Sequence, residues 1–422
     1  MSEPAAYVAI DLAGATRPVG RLWTSGAGRG ERASFEFDPA WIADPVHHAL
    51  GPALPPTRGA FRSGEGRALF GALGDSAPDG WGRELVTRDE ARRARQAGQA
   101  PRAPGEIDFL LGATDVLRRG ALRFSLTEGG PYVAEGDANQ VPTVADLREL
   151  LAAAGALEDD ADSVAADDAV RLLLASGSSL GGARPKASVR DGDGTLAIAK
   201  FPQRDDTFDV VRWEAVMLSL ARKAGIPVAS ARIEMAGETA TLLVRRFDRA
   251  GVMRIPFLSA MCLIDATDGE RRSYVEIADA LRQVTIHAST ELPQLWRRLA
   301  FNILASNFDD HLRNHAVVYD GAGWRLSPAY DLNPVPAHLS PRQLATAITL
   351  DEDTTASIEL AVEAAEEFLL THDEATSIAA DVAESIATWR AEAARAGVKA
   401  GDIDQMETAF EHPDAYTARS WK

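Results

Sequence analysis

The chain has 422 residues, 46% of them hydrophobic and 25% charged, which is too long for one ordinary core and favours two or three domains. No stretch approaches the roughly 18 uninterrupted apolar residues of a membrane-spanning helix. A net charge of −18 argues against a protein that coats nucleic acid by itself, because phosphate binding needs clustered Lys and Arg. The first residues lack a basic region and a long apolar run, so no secretory leader is expected. One cysteine, Cys262, rules out an intramolecular disulfide and fits a reducing cytoplasm.

The first stretch reads as β-rich: Tyr7 to Ile10 and Gly20 to Trp23 are short apolar runs, and Ser34 to Asp38 alternates at period two. A polar, Pro-rich loop follows from about Gly51 to Gly66, then Leu69, Phe70 and Leu73 at helical spacing. Asp79-Gly80 forms a turn before a helix carrying Leu85. The basic stretch Arg92 to Gly105, with Pro101 and Pro104, reads as a connector, Ile107 to Leu111 as an apolar helix, and Thr127 to Gln140 as an exposed link. A helix is expected from about Val144, with Leu147, Leu150 and Leu151 on one face. A second helical segment ends near Gly177 in a Gly- and Ser-rich loop, Ser176 to Lys186.

Two strands then follow, Lys186 to Arg190 and Thr195 to Phe201, joined by a hairpin turn at Asp191 to Gly194. An amphipathic helix covers Val211 to Ala224 with Gly225 as its C-cap, and strands near Ala231 to Met235 and Thr239 to Val244 complete a small sheet. The remainder is mainly helical. Leu295, Leu299 and Ile303 share a face that leads into Asn307-Phe308-Asp309-Asp310-His311-Leu312-Arg313-Asn314-His315. A hairpin with a Gly321-Ala322-Gly323 turn runs on to Asp331. Ile378, Val382, Ile386 and Trp389 mark a last buried face, with Asp373 as candidate N-cap.

Asp309 followed five positions later by Asn314 is the spacing of a protein-kinase catalytic loop. There the Asp orients the substrate hydroxyl and takes its proton, while the Asn turns back to hold a magnesium ion on the phosphates. The pattern is common in isolation, since Asp and Asn are ordinary turn residues. Its context carries the signal, because a hairpin follows and its second strand ends in Asp331, where a kinase places its other metal-binding carboxylate. Magnesium takes oxygen ligands and few protein groups, so Asn314 and Asp331 suffice with phosphates and water. Upstream, Lys200 ends an apolar strand and can reach α- and β-phosphates. Glu214 lies 14 residues later on the amphipathic helix as its candidate ion-pair partner. The Gly-rich loop precedes both. It is not a Walker A sequence, but its glycines allow backbone N–H groups close to phosphate, and Arg184 and Lys186 favour anion contact. The segment Arg245-Arg246-Phe247 lies where two kinase lobes would join.

Taken together, the strings SSLGGARPKA, AKFP, VRRFDR, NFDDHLRNH and LSPAYDLNPVP resemble the HipA family, the kinase half of type II toxin–antitoxin pairs. GRLW, FEFDPAW and PDGWGRELV resemble its small N-terminal domain. The resemblance implies a two-lobed, protein-kinase-like α+β fold: a small β-containing N-terminal subdomain over 1–125, a kinase N-lobe over 126–250 and a mostly helical C-lobe over 251–422. It implies an ATP- and Mg2+-dependent serine/threonine kinase with Asp309 as base, Asp310 its neighbouring rival, and Asn314 and Asp331 on the metal. Gly181, Gly182, Lys186, Lys200, Arg245, Phe247, His311 and Tyr330 would bind ATP, and Ser179 (or Ser178) would be autophosphorylated, a change that repels ATP phosphates. It further implies a HipB-like helix-turn-helix antitoxin as partner, contact with DNA only through that antitoxin, and a protein substrate such as an aminoacyl-tRNA synthetase. The chain departs from the family in having Arg184-Pro185 before Lys186, and Arg245 at an acidic hinge position. A small-molecule phosphotransferase would use the same chemistry, and a weak kinase-fold protein that only binds its antitoxin is the non-enzymatic alternative.

Overall fold

The alternation read at Ser34 to Asp38 is one strand of a five-stranded antiparallel sheet. A computed structural model describes residues 3–26, 30–134, 141–159, 164–177 and 182–422. Strands β1 (Ala6–Leu12), β2 (Ala15–Ser25), β3 (Arg32–Phe37), β4 (Ala60–Arg62) and β5 (Leu122–Ser125) lie in the order β4-β3-β2-β1-β5. On β1 the side chains of Ala6, Val8, Ile10 and Leu12 are buried and their neighbours are not, as a half-buried strand requires. Short helices α1 (Pro39–Ala43) and α2 (Gly71–Gly74) lead to α3 (Gly80–Gln96), followed by α4 (Glu106–Gly112). The basic residues expected in a connector from Arg92 are thus the last turn of α3. Arg92 is buried there and pairs with Asp89 one turn back, at 2.5 Å, which holds the helix together beyond its apolar residues.

The chain divides into two compact units, residues 1–204 with 235–258, and residues 205–234 with 259–422. The expected separation of 1–125 from 126–250 is not observed, and the reason is packing. Trp81 and Leu85 of α3 enter one core with Leu147, Leu150 and Leu157 of α5 (Leu147–Asp159) and Val170 and Leu173 of α6 (Val164–Gly177). The same core takes Ala187 and Val189 of β6 (Lys186–Arg190), Ala197 and Ala199 of β7 (Leu196–Lys200), and Leu243. With β8 (Ala231–Ala236) and β9 (Thr239–Arg245) these strands make a four-stranded sheet in the order β6-β7-β9-β8. The β6–β7 hairpin at Asp191 to Gly194 forms as expected.

A buried ionic knot joins the two sequence-distant parts of the first unit. After β9 the chain makes the small ribbon β10 (Arg249–Ala250) and β11 (Met253–Arg254), then β12 (Phe257–Ser259). Asp248 accepts from Arg246 Nε at 2.9 Å and Nη2 at 2.6 Å, from Arg249 Nη1 at 2.9 Å and from the Gly120 amide at 2.9 Å. Arg246 also donates to the Leu117 and Arg118 carbonyls, and the wholly buried Arg118 donates to those of Ser76, Leu110 and Ala113. Burial opposes the charge on Asp248, but the guanidiniums of Arg246 and Arg249 outweigh it and hold the carboxyl well below the usual range.

In the second unit, α7 (Val210–Lys223) is capped by Asp209 and stopped at Gly225, where φ is +74°. Helix α8 (Ala260–Leu263) precedes α9 (Tyr274–Val284) and α10 (Ala288–Leu304), on which Leu295, Leu299 and Ile303 are fully buried. The hairpin β13 (Ala316–Tyr319) and β14 (Trp324–Leu326) follows, then α11 (Ile358–Glu363), α12 (His372–Ile386), α13 (Trp389–Arg395) and short C-terminal helices. The cap of α12 is Thr371, in a capping box with Glu374, rather than Asp373. Its buried face is Ala375, Ala379, Val382 and Ile386, while Ile378 is only partly covered. No helix among the described residues is long and apolar enough to cross a membrane.

Removing the carboxylate at the centre of the knot leaves two buried guanidiniums without their counter-charge. Asp248→Ala is expected to destabilise the first unit by about 3–5 kcal/mol. Urea unfolding measures this, and a loss below about 1 kcal/mol would show that the knot is not a determinant of stability.

Candidate active site

The apolar stripe of α10 ends at Leu304, and Ser306 turns the chain with φ of +51°. The turn is held by side chains: Ser306 Oγ donates to the Ala409 carbonyl at 2.7 Å and accepts from Arg342 at 2.8 Å. Asn307 follows, fully buried, donating to Asn302 Oδ1 and accepting from the Asn333 amide, each at 2.9 Å. The two adjacent acids then part company.

Asp310 points inward and has no exposed surface. Its Oδ1 accepts from the Ala345 amide at 2.6 Å and the Thr346 amide at 3.3 Å, and its Oδ2 from Tyr274 Oη at 2.7 Å. Its carbonyl accepts from Thr346 Oγ1 at 2.8 Å and from His315 Nε2 at 3.2 Å. A carbonyl only accepts, so Nε2 carries the His315 proton. Tyr274 is placed by the Ser273–Glu276 capping box at the start of α9 and by its amide bond to the Ala347 carbonyl, and its hydroxyl also accepts from Asn302 Nδ2. Burial, partly offset by the Tyr274 and amide hydrogen bonds, pushes Asp310 up to about 7. It also pulls His315 down to about 3, with Arg298 adding to it. A carboxylate with every oxygen engaged cannot approach a substrate, so Asp310 is excluded as base.

Asp309 points outward with its side chain 70% exposed. Its carbonyl accepts from Asn314 Nδ2 at 2.7 Å, and the Asn314 amide donates to the His311 carbonyl at 2.8 Å. The loop therefore closes on itself, and the Asn314 amide oxygen is the atom left to face a cation. His311 Nε2 lies 3.9 Å from Asp309 Oδ1. Tyr330 donates to the Arg313 carbonyl at 2.6 Å, tying the segment after β14 to the loop, and Asp331 takes a left-handed φ of +57°. The Asp309 carboxyl is held above its ordinary value by partial desolvation and by the Asp331 charge, with His311 acting in the opposite sense. No cluster of three or more His, Cys, Asp or Glu exists among the described residues. The donors on offer, Asn314 and Asp331, suit Mg2+, which keeps most of its ligands as water and phosphate.

Behind the loop is a cavity of about 10 Å3, lined by Arg298, Asn302, Asn314 and His315 with apolar neighbours. Arg298 Nε has no protein acceptor, and the space fits one water.

The first unit carries the other expected residues. Lys186 and Lys200 stand directly opposite each other on the antiparallel β6–β7 pair, so their side chains share a face. Like charges at such a position repel unless an anion lies between or beside them. Gly182, with φ of +77°, lies against the Lys186 ammonium: a Cβ there would come within 2.4 Å of Nζ. Arg245, opposite Ala197, is on the other face, which packs on α5 and α6, and its exposed guanidinium is 3.5 Å from Asp193. The sheet thus separates the Arg245 side chain from the two lysines. The buried arginine of that string is Arg246, and Phe247 is half-buried 6.3 Å from the Phe257 ring. Glu214 is buried on α7, in the second unit, whereas Lys200 is in the first. Ser178, Ser179 and Gly181 lie outside the described residues.

Sequence reasoning missed the inner network of Tyr274, Asn302, Asn307 and His315. Two buried asparagines on and just after an apolar helix face were the available signal, while Tyr274, 36 positions from Asp310, gave none.

The folded protein holds a proton on Asp310 that the unfolded chain releases near pH 4. The stability due to this group is therefore full below about pH 4, is lost as pH rises to about 7, and is flat above. His315 acts in the opposite sense between about pH 6.5 and 3, but it is common to both proteins in a comparison. Asp310→Asn is expected to gain on wild type by more than about 1 kcal/mol between pH 5 and pH 8. Urea unfolding at the two pH values checks this, and an unchanged gap would contradict it.

Residues 178–390 match the HipA-like C-terminal domain and residues 11–100 the HipA N-terminal domain. The chain is 27% identical over 336 residues to the Sinorhizobium fredii protein named "Putative kinase Y4mE", covering 73% of this chain and 74% of that one. Among solved structures it is similar to HipA of Shewanella oneidensis MR-1 in its complex with HipB and operator DNA. Identity is 15%, coverage 98% of this chain and 96% of that chain, and the TM-score 0.63. The chain belongs to the HipA family and has its kinase-like α+β fold.

Proposed function

We propose that the protein is an ATP- and Mg2+-dependent serine/threonine protein kinase, the toxin of a toxin–antitoxin pair. The observation that carries this is the closed Asp309–Asn314 loop with Asp331 beside it. Asp309 orients the substrate hydroxyl and takes its proton as the oxygen attacks the γ-phosphorus and the bond from that phosphorus to the β,γ-bridging oxygen breaks, releasing ADP. Asn314 and Asp331 hold Mg2+, which when bound neutralises phosphate charge. Lys186 and Lys200 hold the phosphates, with Gly182, the Arg245–Phe247 segment, His311 and Tyr330 completing the nucleotide contacts. Glu214 is assigned to Lys200 as its ion-pair partner. The kinase name of the Sinorhizobium relative and the HipB and operator DNA of the Shewanella complex support this assignment and a HipB-like antitoxin as partner. DNA is then met through the antitoxin. The resemblance adds a protein substrate such as an aminoacyl-tRNA synthetase, a cytoplasmic location, and self-phosphorylation at Ser179.

Incubation with γ-labelled ATP and Mg2+ tests the proposal. Wild type is expected to label itself or a protein acceptor, EDTA to abolish labelling, and Asp309→Asn to lower it by about 10²- to 10⁴-fold. Equal labelling by wild type and Asp309→Asn would remove Asp309 from the reaction. Transfer to small molecules alone would make the protein a small-molecule phosphotransferase, and no turnover by wild type after phosphatase treatment would leave a binding protein.

A further inference from the structure

The sequence motif Pro78-Asp79-Gly80-Trp81 plays no part in the chemistry above, yet it is bonded to the segment that leads into β6. Asp79 is the N-cap residue of α3, but its carboxylate does not cap the helix. Oδ1 accepts instead from the amide of Gly182. Returning the contact, the Gly182 carbonyl accepts from the Trp81 amide at 2.8 Å, so a backbone oxygen of the Gly-rich segment serves an N–H of the first helical turn that would otherwise lack a partner. Four residues on, the Lys186 carbonyl accepts from Trp81 Nε1 at 2.8 Å. Three hydrogen bonds from residues 79–81 thus grip both ends of Gly182–Lys186.

The approach is close enough to dictate residue types. A Cβ on Gly80 would sit 2.5 Å from the Gly182 carbonyl oxygen, a backbone atom that cannot swing away, and φ there is +30°. The two glycines therefore meet backbone to backbone. Trp81 is buried in the core beneath β6, so its indole N–H is fixed in direction. A core tryptophan needs only apolar neighbours. One that also anchors the carbonyl of a lysine facing a second lysine sets where that lysine's backbone lies.

We propose that Asp79 and Trp81 are positioning residues: they clasp Gly182–Lys186 from the N-terminal domain and hold Lys186 in register opposite Lys200, ready for the phosphates of a nucleotide. The part concerning nucleotide rests on the kinase function proposed above, whereas the clasp itself does not, and two readouts keep them apart.

The first is amide hydrogen exchange of the peptide spanning 182–190 in the full chain. Asp79→Ala removes the acceptor of the Gly182 amide and Trp81→Phe the donor to the Lys186 carbonyl, the second while keeping an aromatic ring, and each is expected to speed exchange there by about tenfold. Asp79→Asn keeps an acceptor oxygen and is expected to retain more protection at 182–190 than Asp79→Ala. Peptides from α5 and α6 should exchange as before. The second readout is steady-state kinetics: KM for ATP is expected to rise about tenfold in Asp79→Ala and Trp81→Phe, with kcat within about threefold of wild type. Unchanged exchange at 182–190 in both variants overturns the clasp. Faster exchange with unchanged KM overturns the positioning of Lys186. A wild type without turnover defeats the kinase function, and exchange alone then decides the clasp.

Discussion

The geometry of the Asp309–Asn314 loop depends on one buried carboxylate. Asp310 has no exposed surface, and a carboxylate taken from water must find donors for its oxygens or lose its charge. It finds them in three places: the start of α9 through Tyr274, the segment at Ala345 and Thr346, and, for its backbone carbonyl, His315 on the far side of the loop. Those contacts pin five residues of chain between two points. Asp309 is turned outward because Asp310 is turned inward. The adjacent acids thus divide the work, one holding the loop and the other facing solvent where a substrate hydroxyl can arrive.

The groups meant to act are left in the opposite condition. Asp309 feels the charge of Asp331, and Lys186 faces Lys200 across a strand pair. The contrast with the ionic knot is instructive. At Asp248 every oxygen is matched to a guanidinium or amide, so the charge is consumed internally and the cluster is structural.

Much of this was legible in the sequence where the signal was local. Period two at β1 and β3, the Asp191–Gly194 turn, the Gly225 stop after α7 and the stripe of α10 all formed. The Asp309–Asn314 spacing closed into the loop that spacing suggested. What was not legible was set by distant partners. Nothing near Asp310 in sequence says that it, rather than Asp309, goes inside, because the donors are 35 and 36 positions away. The string at Arg245 to Asp248 read as a hinge, yet two of its charged residues are consumed by carbonyls and an amide at 117–120. Arg92 read as connector because its partner, Asp89, was not weighed, and Thr371 outcompeted Asp373 because only it has Glu374 at the right offset for a capping box.

The same long-range contacts explain why the expected boundary at 125 does not divide the first unit. Two independent sets of buried hydrogen bonds cross it. Arg246 and Asp248 reach back to residues 117–120, and the Gly182–Lys186 segment is gripped by residues 79–81. Both sets depend on backbone groups, which no side-chain substitution on the other side can replace. Residues 178–390 match a C-terminal domain of the family, but within this chain that domain begins by using the N-terminal domain's helix α3 as the floor under its first strand. Separating the two would expose Trp81, strand the Gly182 amide and leave Arg118, Arg246 and Asp248 partly unpaired. The N-terminal sheet is therefore best regarded as part of the lysine-bearing unit.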